Sequence, residues 1–600
     1  MSAFPLRCLF AYLRYLVFWL SLADGKILES FSGLQSRYDF VIVGGGTAGC
    51  VLANRLSENP KTKVLLIEAG GSNEGIQNAI IPFLGVALPG TAVDWNFTTT
   101  PQVGLGGRTT PLPRGHVLGG SSTINLMTWN RGSDDVWDRW ARITQDPGWS
   151  SKSIQPFYLK TNRLVPSADG HNTAGQFVPS AHGNGPVEVS LPGFPTELDD
   201  KVINTSKELG GRFPFTVDLN AGKTVGFSYM QSSIGQAKRS SSATAYLEPV
   251  VNRTNLDVLI NTRAARIHSS GNVAGKPLIN VVEVAASPNS PRRRITANKE
   301  LILSAGVFGT AQLLLLSGIG PKSTLAKQGI QPLLDLPSVG QNLTDHAMVP
   351  NYFFVNSNLT FDGILRDPTL FGADIQEYLT DAQGLMVDSP GNTQGFIRLP
   401  SNSSIFNKVQ DPSAGPKSGH TEMIFVDGFA AFGPLAQPTQ GNLLSLLTAV
   451  VSPTSRGTLT LATSDAFDQP LIDPAYFSTD FDVFAIVQAM KDAQTFISAQ
   501  PWAGFIVAPF GDLANATTDA AKAALVKILG STFSHSVGTA AMSPVHANWG
   551  VTNPDLTLKG AQGLRIVDAS IFPAIPESHL QAVVYTVAER AAHLILTSSL

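Results

Sequence analysis

The sequence contains little cysteine, with two residues in 600, and little charge, with 14% Asp, Glu, Lys and Arg and a net charge of −3. Cys8 lies in an N-terminal apolar segment, so the rest of the chain carries Cys50 alone and no internal disulfide is expected. A chain of this length buries a large core without covalent cross-links. Because no long basic or acidic run is present, no nucleic acid is expected as a partner, and small neutral substrates fit the composition better.

Residues 1–23 have the composition of a secretory signal. Arg7 opens an apolar stretch that Arg14 interrupts, and Ser21 and Ala23 are small residues at the positions that a cleavage site requires. A membrane anchor is the alternative, but Arg14 leaves too short an apolar run for the ~20 residues that a bilayer needs. We expect a secreted protein with no membrane span in the mature chain. Acceptor triplets for N-glycosylation, compatible with this route, begin at Asn96, Asn204, Asn252, Asn342, Asn358, Asn402 and Asn515.

The segment 38–70, YDFVIVGGGTAGCVLANRLSENPKTKVLLIEAG, is typical of a dinucleotide-binding βαβ unit. An apolar strand at 40–43 runs directly into a glycine-rich turn. There Gly44 permits the bend, Gly46 lets the backbone approach a pyrophosphate, and Gly49 lets the next helix pack closely on the strand. The phosphates are expected at the positive end of that helix. The cofactor contacts expected in this turn are Gly44, Gly46, Thr47, Ala48 and Gly49.

A second apolar strand, at 64–67, ends at Glu68, where a carboxylate can accept a hydrogen bond from a ribose hydroxyl. An ordinary glycine-rich turn would not combine strand, glycines, helix, strand and acid in this order. The unit therefore predicts an ADP-containing cofactor. It does not distinguish a nicotinamide from a flavin.

Two further segments, PRGHVLGGSSTINLMTWNRG at 113–132 and SAGVFGTAQLLLLSGIG at 304–320, resemble the signature segments of the glucose-methanol-choline (GMC) oxidoreductases, which are flavin enzymes. Shorter stretches resemble the same family in the same order, at 94–102, 240–249, 339–346 and 563–573. Within the family, GFPTELDD and LPSNSSIF are most similar to fungal aryl-alcohol oxidases. The resemblance extends from residue 38 to the C-terminus.

The resemblance implies FAD as cofactor and an α/β fold, α+β overall. A Rossmann-like FAD-binding domain would be interleaved with a substrate-binding domain built on an antiparallel sheet. The expected FAD-binding segments are 38–105, 235–345 and 545–600. The expected substrate-binding segments, including a lid, are 106–234 and 346–544.

The resemblance also assigns cofactor contacts beyond the first glycine turn. Gly119, Gly120 and Ser121 offer backbone N–H groups without obstruction, which suits a diphosphate or the polar edge of a flavin. The family pattern implies the following further contacts: Asn125 and Thr128 near the flavin ring, Ala265 at the adenine, and Asp568 with Ala569 near the ribityl chain and pyrophosphate. No histidine stands at a tethering position in 119–125, so dissociable FAD is expected.

His535, in the small-residue stretch STFSHSVGTAAMSP, and His579 are the candidate catalytic residues. An alcohol gives up hydride as its hydroxyl proton leaves, so a base must lie within hydrogen-bond reach, and histidine suits this near neutral pH. The resemblance implies that His535 is the base and that His579 binds the same oxygen. Ser578 and Gln581 have capping-box spacing, which predicts His579 in the first turn of a helix. Of the other eight histidines, His346 belongs to one of the segments that resemble the family, and the remaining seven show no ligand spacing, so no metal is predicted.

Two positions depart from the aryl-alcohol oxidase pattern. Ser534 stands where those enzymes carry an aromatic residue before the base, and Leu126 stands where they carry a tyrosine. Both side chains are expected to border a widened substrate channel. Because no Arg or Lys lies near the two histidines in the sequence, a neutral pocket with apolar walls is expected.

The sequence thus predicts hydride transfer from a primary alcohol, aryl or otherwise apolar, to flavin N5, with O2 reoxidising the flavin and giving H2O2. Three alternatives stay open. One is a dehydrogenase of secondary metabolism that passes electrons to a quinone or another acceptor. A second is a FAD-containing hydroxynitrile lyase, and the third is a noncatalytic flavin-binding protein.

Overall fold

The computed structural model describes residues 27–598, so the expected secretory signal at 1–23 lies outside the described residues. In the described part of the chain, eight strands form a large sheet. Their order is Ile27–Leu28, Leu256–Leu259, Val64–Ile67, Arg37–Val43, Arg293–Leu303, Lys276–Ala285 and Arg263–Val273, with Leu564–Ile566 paired to Arg293–Leu303.

The centre of the large sheet is parallel. Phe40 pairs with Val64, and Val43 pairs with both Ile67 and Leu303. All four residues of Val64–Ile67 are buried. This continuous apolar run is typical of a parallel strand that is covered on both faces.

A second, small sheet is antiparallel. Its order is Gly391–Ile397, Thr421–Val426, Asn442–Val450, Ala347–Val355 and Ile506–Pro509, with Ser531–Thr532 paired to Ala347–Val355. The helix Asp480–Ile497 packs on this sheet. The core there is aromatic, and the ring of Phe496 stacks on that of Phe227 with centroids 4.6 Å apart.

Helices and short strand pairs complete the fold. The helices lie at Thr47–Leu56, Gln77–Ile80, Ser121–Ile124, Asp134–Thr144, Ser151–Leu159, Glu197–Leu209, Gly306–Leu316, Lys322–Lys327, Asp362–Arg366, Pro368–Asp381, Asp480–Ile497, Asp519–Leu529 and Gln581–Ser598. The short strands lie at Phe97–Thr98, Pro111–Leu112, Asn162–Leu164, Val187–Val189, Gly226–Tyr229, Ile234–Gly235, Lys238–Arg239, Ile319–Gly320, Leu334–Asp335, Thr458–Thr460 and Leu471–Asp473. None of the helices in the described range combines the length and apolar character that crossing a membrane requires.

The two sheets are interleaved along the chain. The large sheet draws its strands from 27–67, 256–303 and 564–566, whereas the small sheet draws its strands from 347–532. The architecture is the expected one, a Rossmann-like α/β part combined with an antiparallel part. The exact domain boundaries stay a prediction.

Candidate active site

One cavity of about 1170 Å³ runs from the glycine-rich turn to the two histidines. It is larger than the ~300–1,000 Å³ that a small-molecule pocket usually measures, so it has room for a dinucleotide and a substrate together. The predicted cofactor contacts that line it are Gly44, Gly46, Thr47, Ala48, Glu68, Gly120, Ser121, Asn125, Thr128, Asp568 and Ala569. His535 and His579 line it as well.

The glycine-rich turn is a cradle of bare backbone. Gly44 has a φ of +105°, in the region that favours glycine. A Cβ atom on Gly49 would lie 1.9 Å from the Gly44 carbonyl oxygen, and a Cβ atom on Gly120 would lie 2.6 Å from the Cα of Gly46. Side chains at these positions would clash with the backbone of the turn. The turn leads into the helix Thr47–Leu56, whose N-terminal N–H groups suit a pyrophosphate.

Two buried carboxyl groups border the cavity. Glu68 accepts hydrogen bonds from the N–H groups of Gly45 and Gly70, both at 2.8 Å, and burial raises its pKa to about 7. Asp568 accepts from Gly306 N–H at 3.0 Å and from the Thr310 hydroxyl at 2.6 Å, and burial raises its pKa also. Such anchored acids fit the ribose and ribityl hydroxyls of FAD, as the sequence predicts.

Three of the predicted cofactor residues do not line the cavity. Gly49 allows the helix to pack closely against the Gly44 carbonyl. Gly119 connects the two glycine-rich turns by donating its N–H to the Gly45 carbonyl at 2.8 Å. Ala265 packs in the core of the large sheet, while its neighbour Ala264 lines the cavity instead. A backbone contact from Ala265 to an adenine stays a prediction.

His535 and His579 meet at the far end of the cavity. Their ring centroids are 4.6 Å apart and the ring planes are nearly perpendicular, at 82°. His535 belongs to the loop that follows the strand Ser531–Thr532, and His579 lies two residues before the helix Gln581–Ser598. The site is therefore built from segments that are distant in the sequence.

The loop that carries His535 is fixed by Asp345. This carboxylate accepts from the His535 N–H at 2.7 Å, and from the hydroxyl groups of Ser536 at 2.8 Å and Tyr476 at 2.6 Å. The His535 ring is held through Nδ1, which lies 3.0 Å from Nδ1 of His346. Nε2 makes no hydrogen bond to any residue of the described chain, so it is the nitrogen left for a ligand.

The electrostatic surroundings of His535 favour a neutral ring. Burial lowers the pKa of His535 well below its usual range, and electrostatic interactions with His579, His346 and Arg114 lower it further. A neutral imidazole is the form that can accept a proton.

His579 is oriented by an acid from the small sheet. Its Nε2 lies 2.9 Å from Oε1 of Glu422, which is buried in the strand Thr421–Val426. A carboxylate accepts, so Nε2 carries a proton, and Nδ1 makes no hydrogen bond to any residue of the described chain.

The predicted capping box at this helix is wrong. The Ser578 hydroxyl is buried without a hydrogen-bond partner. The Gln581 side chain instead donates to the carbonyl groups of Met127 at 2.6 Å and Thr128 at 2.8 Å, because these carbonyls cross the start of the helix. His579 therefore lies before the helix and not within its first turn.

The substrate end of the cavity is aromatic. Phe533 lies 5.9 Å, centroid to centroid, from both His535 and His579, and further lining residues are Phe83, Phe361, Ile424, Phe429 and Phe432. Ser534 and Leu126 also line the cavity, and Ser534 has a φ of +60°. The loop thus carries its aromatic ring at position 533, one residue before the position that the resemblance pointed to.

The expectation of a wholly neutral pocket is wrong. Arg114 lines the cavity and lies close enough to His535 for its charge to lower the pKa of that ring. The sequence did not indicate this cation because Arg114 and His535 are 421 positions apart along the chain. His346, Asp345 and Glu422 were missed for the same reason. No group of three or more His, Cys, Asp or Glu suited to a metal occurs within residues 27–598.

A Rossmann-like glycine turn that opens through one cavity onto two partly buried imidazoles defines an oxidoreductase built around a dinucleotide cofactor. The comparisons with known proteins specify the family. Models of the GMC oxidoreductases match residues 38–348 and 453–588. The chain belongs to the GMC oxidoreductase family, as its signature segments suggested. Its cofactor is FAD, and the cradle and the buried acids described above fit that group.

Similar proteins extend over almost the whole chain. Dehydrogenase eriK of Hericium erinaceus is 38% identical over 586 residues, covering 95% of each chain. Pyranose dehydrogenase 3 of Leucoagaricus meleagris is 38% identical and covers 94% of this chain and 93% of its own. Among solved structures, a formate oxidase matches with a TM-score of 0.86 at 28% identity, covering 94% of this chain and 98% of its own. A fungal aryl-alcohol oxidase matches with a TM-score of 0.81 at 27% identity, covering 94% of this chain and 100% of its own.

Proposed function

We propose that this protein oxidises an apolar primary alcohol, with His535 as the base that takes the hydroxyl proton and His579 as the partner that binds the same oxygen. The observation that carries the proposal is the orientation of the two rings. Each ring has one nitrogen fixed by protein, through His346 and Glu422, and one nitrogen without a protein partner at the end of the cofactor cavity.

The roles of the residues follow from this geometry. FAD, when bound, supplies the acceptor for the hydride. Nε2 of His535, on a ring kept neutral by its surroundings, receives the hydroxyl proton as the carbonyl develops. Nδ1 of His579 binds the same oxygen by donating a hydrogen bond, because the single hydroxyl proton goes to His535 and an acceptor at Nδ1 would have no proton to accept. Phe533 and the other aromatic residues of the cavity exclude water.

The cavity wall favours an apolar alcohol over a sugar. A pyranose presents a hydroxyl group on most carbons, and a site that binds it needs a polar partner for each one. The cavity lining includes Phe83, Phe361, Phe429, Phe432 and Phe533, and Phe533 lies beside both histidines. Sugars belong in the test because pyranose dehydrogenases are among the similar proteins.

The electron acceptor has two candidates. Dioxygen, with H2O2 as product, is the acceptor expected from the aryl-alcohol oxidase likeness and is compatible with the oxidases among the solved structures. A quinone is the second candidate, favoured by the relatives at 36–38% identity, whose names are dehydrogenases.

Anaerobic mixing of the FAD-loaded protein with a panel of aryl, long-chain aliphatic and polycyclic primary alcohols, and of sugars, tests the proposal. Bleaching of the flavin by the apolar alcohols supports it. Bleaching by sugars alone would overturn the substrate class, and aldehyde formation from a hydroxynitrile without bleaching would indicate a lyase. Reoxidation by air with a peroxide assay, and by a quinone, then separates the two acceptors.

We also propose that the protein is secreted. Six of the seven acceptor triplets have an exposed asparagine, the exception being the half-buried Asn342. Expression in a fungal host with analysis of the culture medium and of the mass shift on deglycosylation tests this. Full-length, unglycosylated protein retained inside the cell would contradict it.

A further inference from the structure

The ring of His346 contacts the ring of His535, and the proposed reaction does not explain this contact. Nδ1 of His346 lies 3.0 Å from Nδ1 of His535, and the ring planes cross at 85°. Two ring nitrogens at this distance cannot both carry a proton, nor can both present a lone pair. One of them donates and the other accepts.

The chemistry at the cavity decides which one donates. A base that receives the hydroxyl proton at Nε2 must present a lone pair there, so the proton of neutral His535 lies on Nδ1. Nδ1 of His346 is then the acceptor, and His346 carries its own proton on Nε2. The backbone of Val451 and Pro576 favours a proton on the ring, although Nε2 itself is buried and makes no hydrogen bond to a residue of the described chain.

His346 is well placed to act as a fixed, neutral acceptor. It is fully buried, and burial lowers its pKa to about 3, so it stays uncharged. Its N–H donates to Asp345 at 2.8 Å, and its carbonyl accepts from Phe533 N–H at 3.0 Å. The strand that follows it pairs with the strand before His535, through Ala347 and Thr532.

We propose that His346 is a positioning residue that holds His535 in the tautomer with the proton on Nδ1 and the lone pair on Nε2. His346 contacts the base and not the substrate. Unlike an acidic partner, it sets the tautomer without placing a negative charge beside the base. The inference rests on the proposed function of His535.

Two substitutions separate positioning from mere packing. In His346→Asn, the side-chain oxygen takes the place of Nδ1 and can still accept from the base, whereas His346→Leu leaves no acceptor. We expect anaerobic flavin reduction to slow by about 10- to 100-fold in His346→Leu, the cost of a misoriented reacting group, and by less than about 3-fold in His346→Asn. The KM for the alcohol should change little in either variant, because neither contacts the substrate.

The ring nitrogens give a readout that is independent of turnover. In protein labelled with ¹⁵N-histidine, the His535 signals, identified by their loss in His535→Ala, should show a protonated Nδ1 in wild type and in His346→Asn. In His346→Leu they should show a mixture of tautomers. FAD absorbance and the unfolding temperature establish that each variant is folded and loaded.

The inference fails if His535 carries its proton on Nε2 in wild type. It also fails if folded His346→Leu reduces the flavin as fast as wild type, or if folded His346→Asn is as slow as His346→Leu. Should both variants fail to fold, the nitrogen shifts of wild type decide alone. If no alcohol reduces the flavin of the wild-type protein, the proposed function is refuted instead. A failure of the proposed function is therefore distinguishable from a failure of the inference about His346.

Discussion

His535 and His579 face each other edge to face, with ring centroids 4.6 Å apart. Each ring reaches this position from a different part of the fold, His535 from a loop joined to the small sheet and His579 from the segment just before the C-terminal helix. Each ring keeps one nitrogen without a partner among the described residues, and both rings line the same cavity. The pair is therefore suited to hold an alcohol and to remove its proton in one place.

Activity should persist at acidic pH. A free histidine has a pKa of about 6.5, and the surroundings of His535 lower its pKa well below that value. The base therefore stays unprotonated, and kcat/KM for flavin reduction should be flat from about pH 8 down through pH 6.5 and fall only in more acid solution. A profile with its half-maximum at or above pH 6.5 would contradict this.

The same depressed pKa affects stability. Below about pH 6.5 the unfolded chain binds protons at His535 and His346 that the folded chain does not, so the free energy of unfolding should decrease as the pH falls. Replacing His346 by Asn should make this decrease shallower. Denaturant unfolding at pH 7 and pH 5 measures it, and an equal pH dependence in the two proteins would argue against a neutral His346.

Glu422 should act through His579. Glu422→Leu removes the acceptor of the 2.9 Å contact to Nε2, and we expect flavin reduction to slow by about 10- to 100-fold because the ring loses its orientation. Glu422→Gln keeps an oxygen acceptor and should retain most of the rate. Stopped-flow reduction of FAD-loaded variants measures both, and a smaller loss in the leucine variant than in the glutamine variant would refute this role.

The glycine cradle should not tolerate a methyl group. Gly49→Ala places a Cβ atom 1.9 Å from the Gly44 carbonyl oxygen, so it should destabilise the fold by ~1–3 kcal/mol and weaken FAD retention. Gly372→Ala is the matched control, since a Cβ atom there, in the exposed helix Pro368–Asp381, meets nothing within 4 Å. Thermal unfolding and FAD content should be unchanged or improved in the control. Similar losses in both variants would contradict the packing argument.

Phe533 should contribute to substrate binding. Its ring lies 5.9 Å from both histidines, and removing an apolar contact of this size costs about 1.5–3 kcal/mol. Phe533→Ala should therefore raise the KM for an apolar alcohol by about 10- to 100-fold and leave the flavin content intact. Phe510→Ala, at a ring that packs on Phe354 away from the cavity, is the control. A KM unchanged by Phe533→Ala would show that the substrate does not reach this wall.

The sequence predicts the cofactor half of the site better than the catalytic half. The strand, glycine turn, helix and acid lie within 38–70, so the order of residues itself describes their geometry. The partners of the histidines are distant in sequence, with a separation of 189 positions from His346 to His535 and of 157 from Glu422 to His579. Such contacts arise only in the tertiary structure, the first through the pairing of Ala347 with Thr532 in the small sheet, so no local pattern indicates them.

A local pattern also misled at one point. Ser578 and Gln581 have capping-box spacing, but the Gln581 side chain donates to Met127 and Thr128 because these carbonyls lie across the helix start. The hydrogen bonds of Gln581 to these distant carbonyl groups form in place of the local capping box. The family resemblance assigned expected roles to His535 and His579, but it did not indicate Arg114, whose charge lowers the pKa of His535.

The most direct measurement of the central claim is the rate of anaerobic flavin reduction by an apolar primary alcohol in wild type and in His535→Ala. We expect wild type to bleach and the folded, FAD-loaded variant to be slower by at least ~10³-fold, in the range for a positioned base. A variant that reduces its flavin at the wild-type rate would show that His535 is not the base, and the account of this site would be wrong.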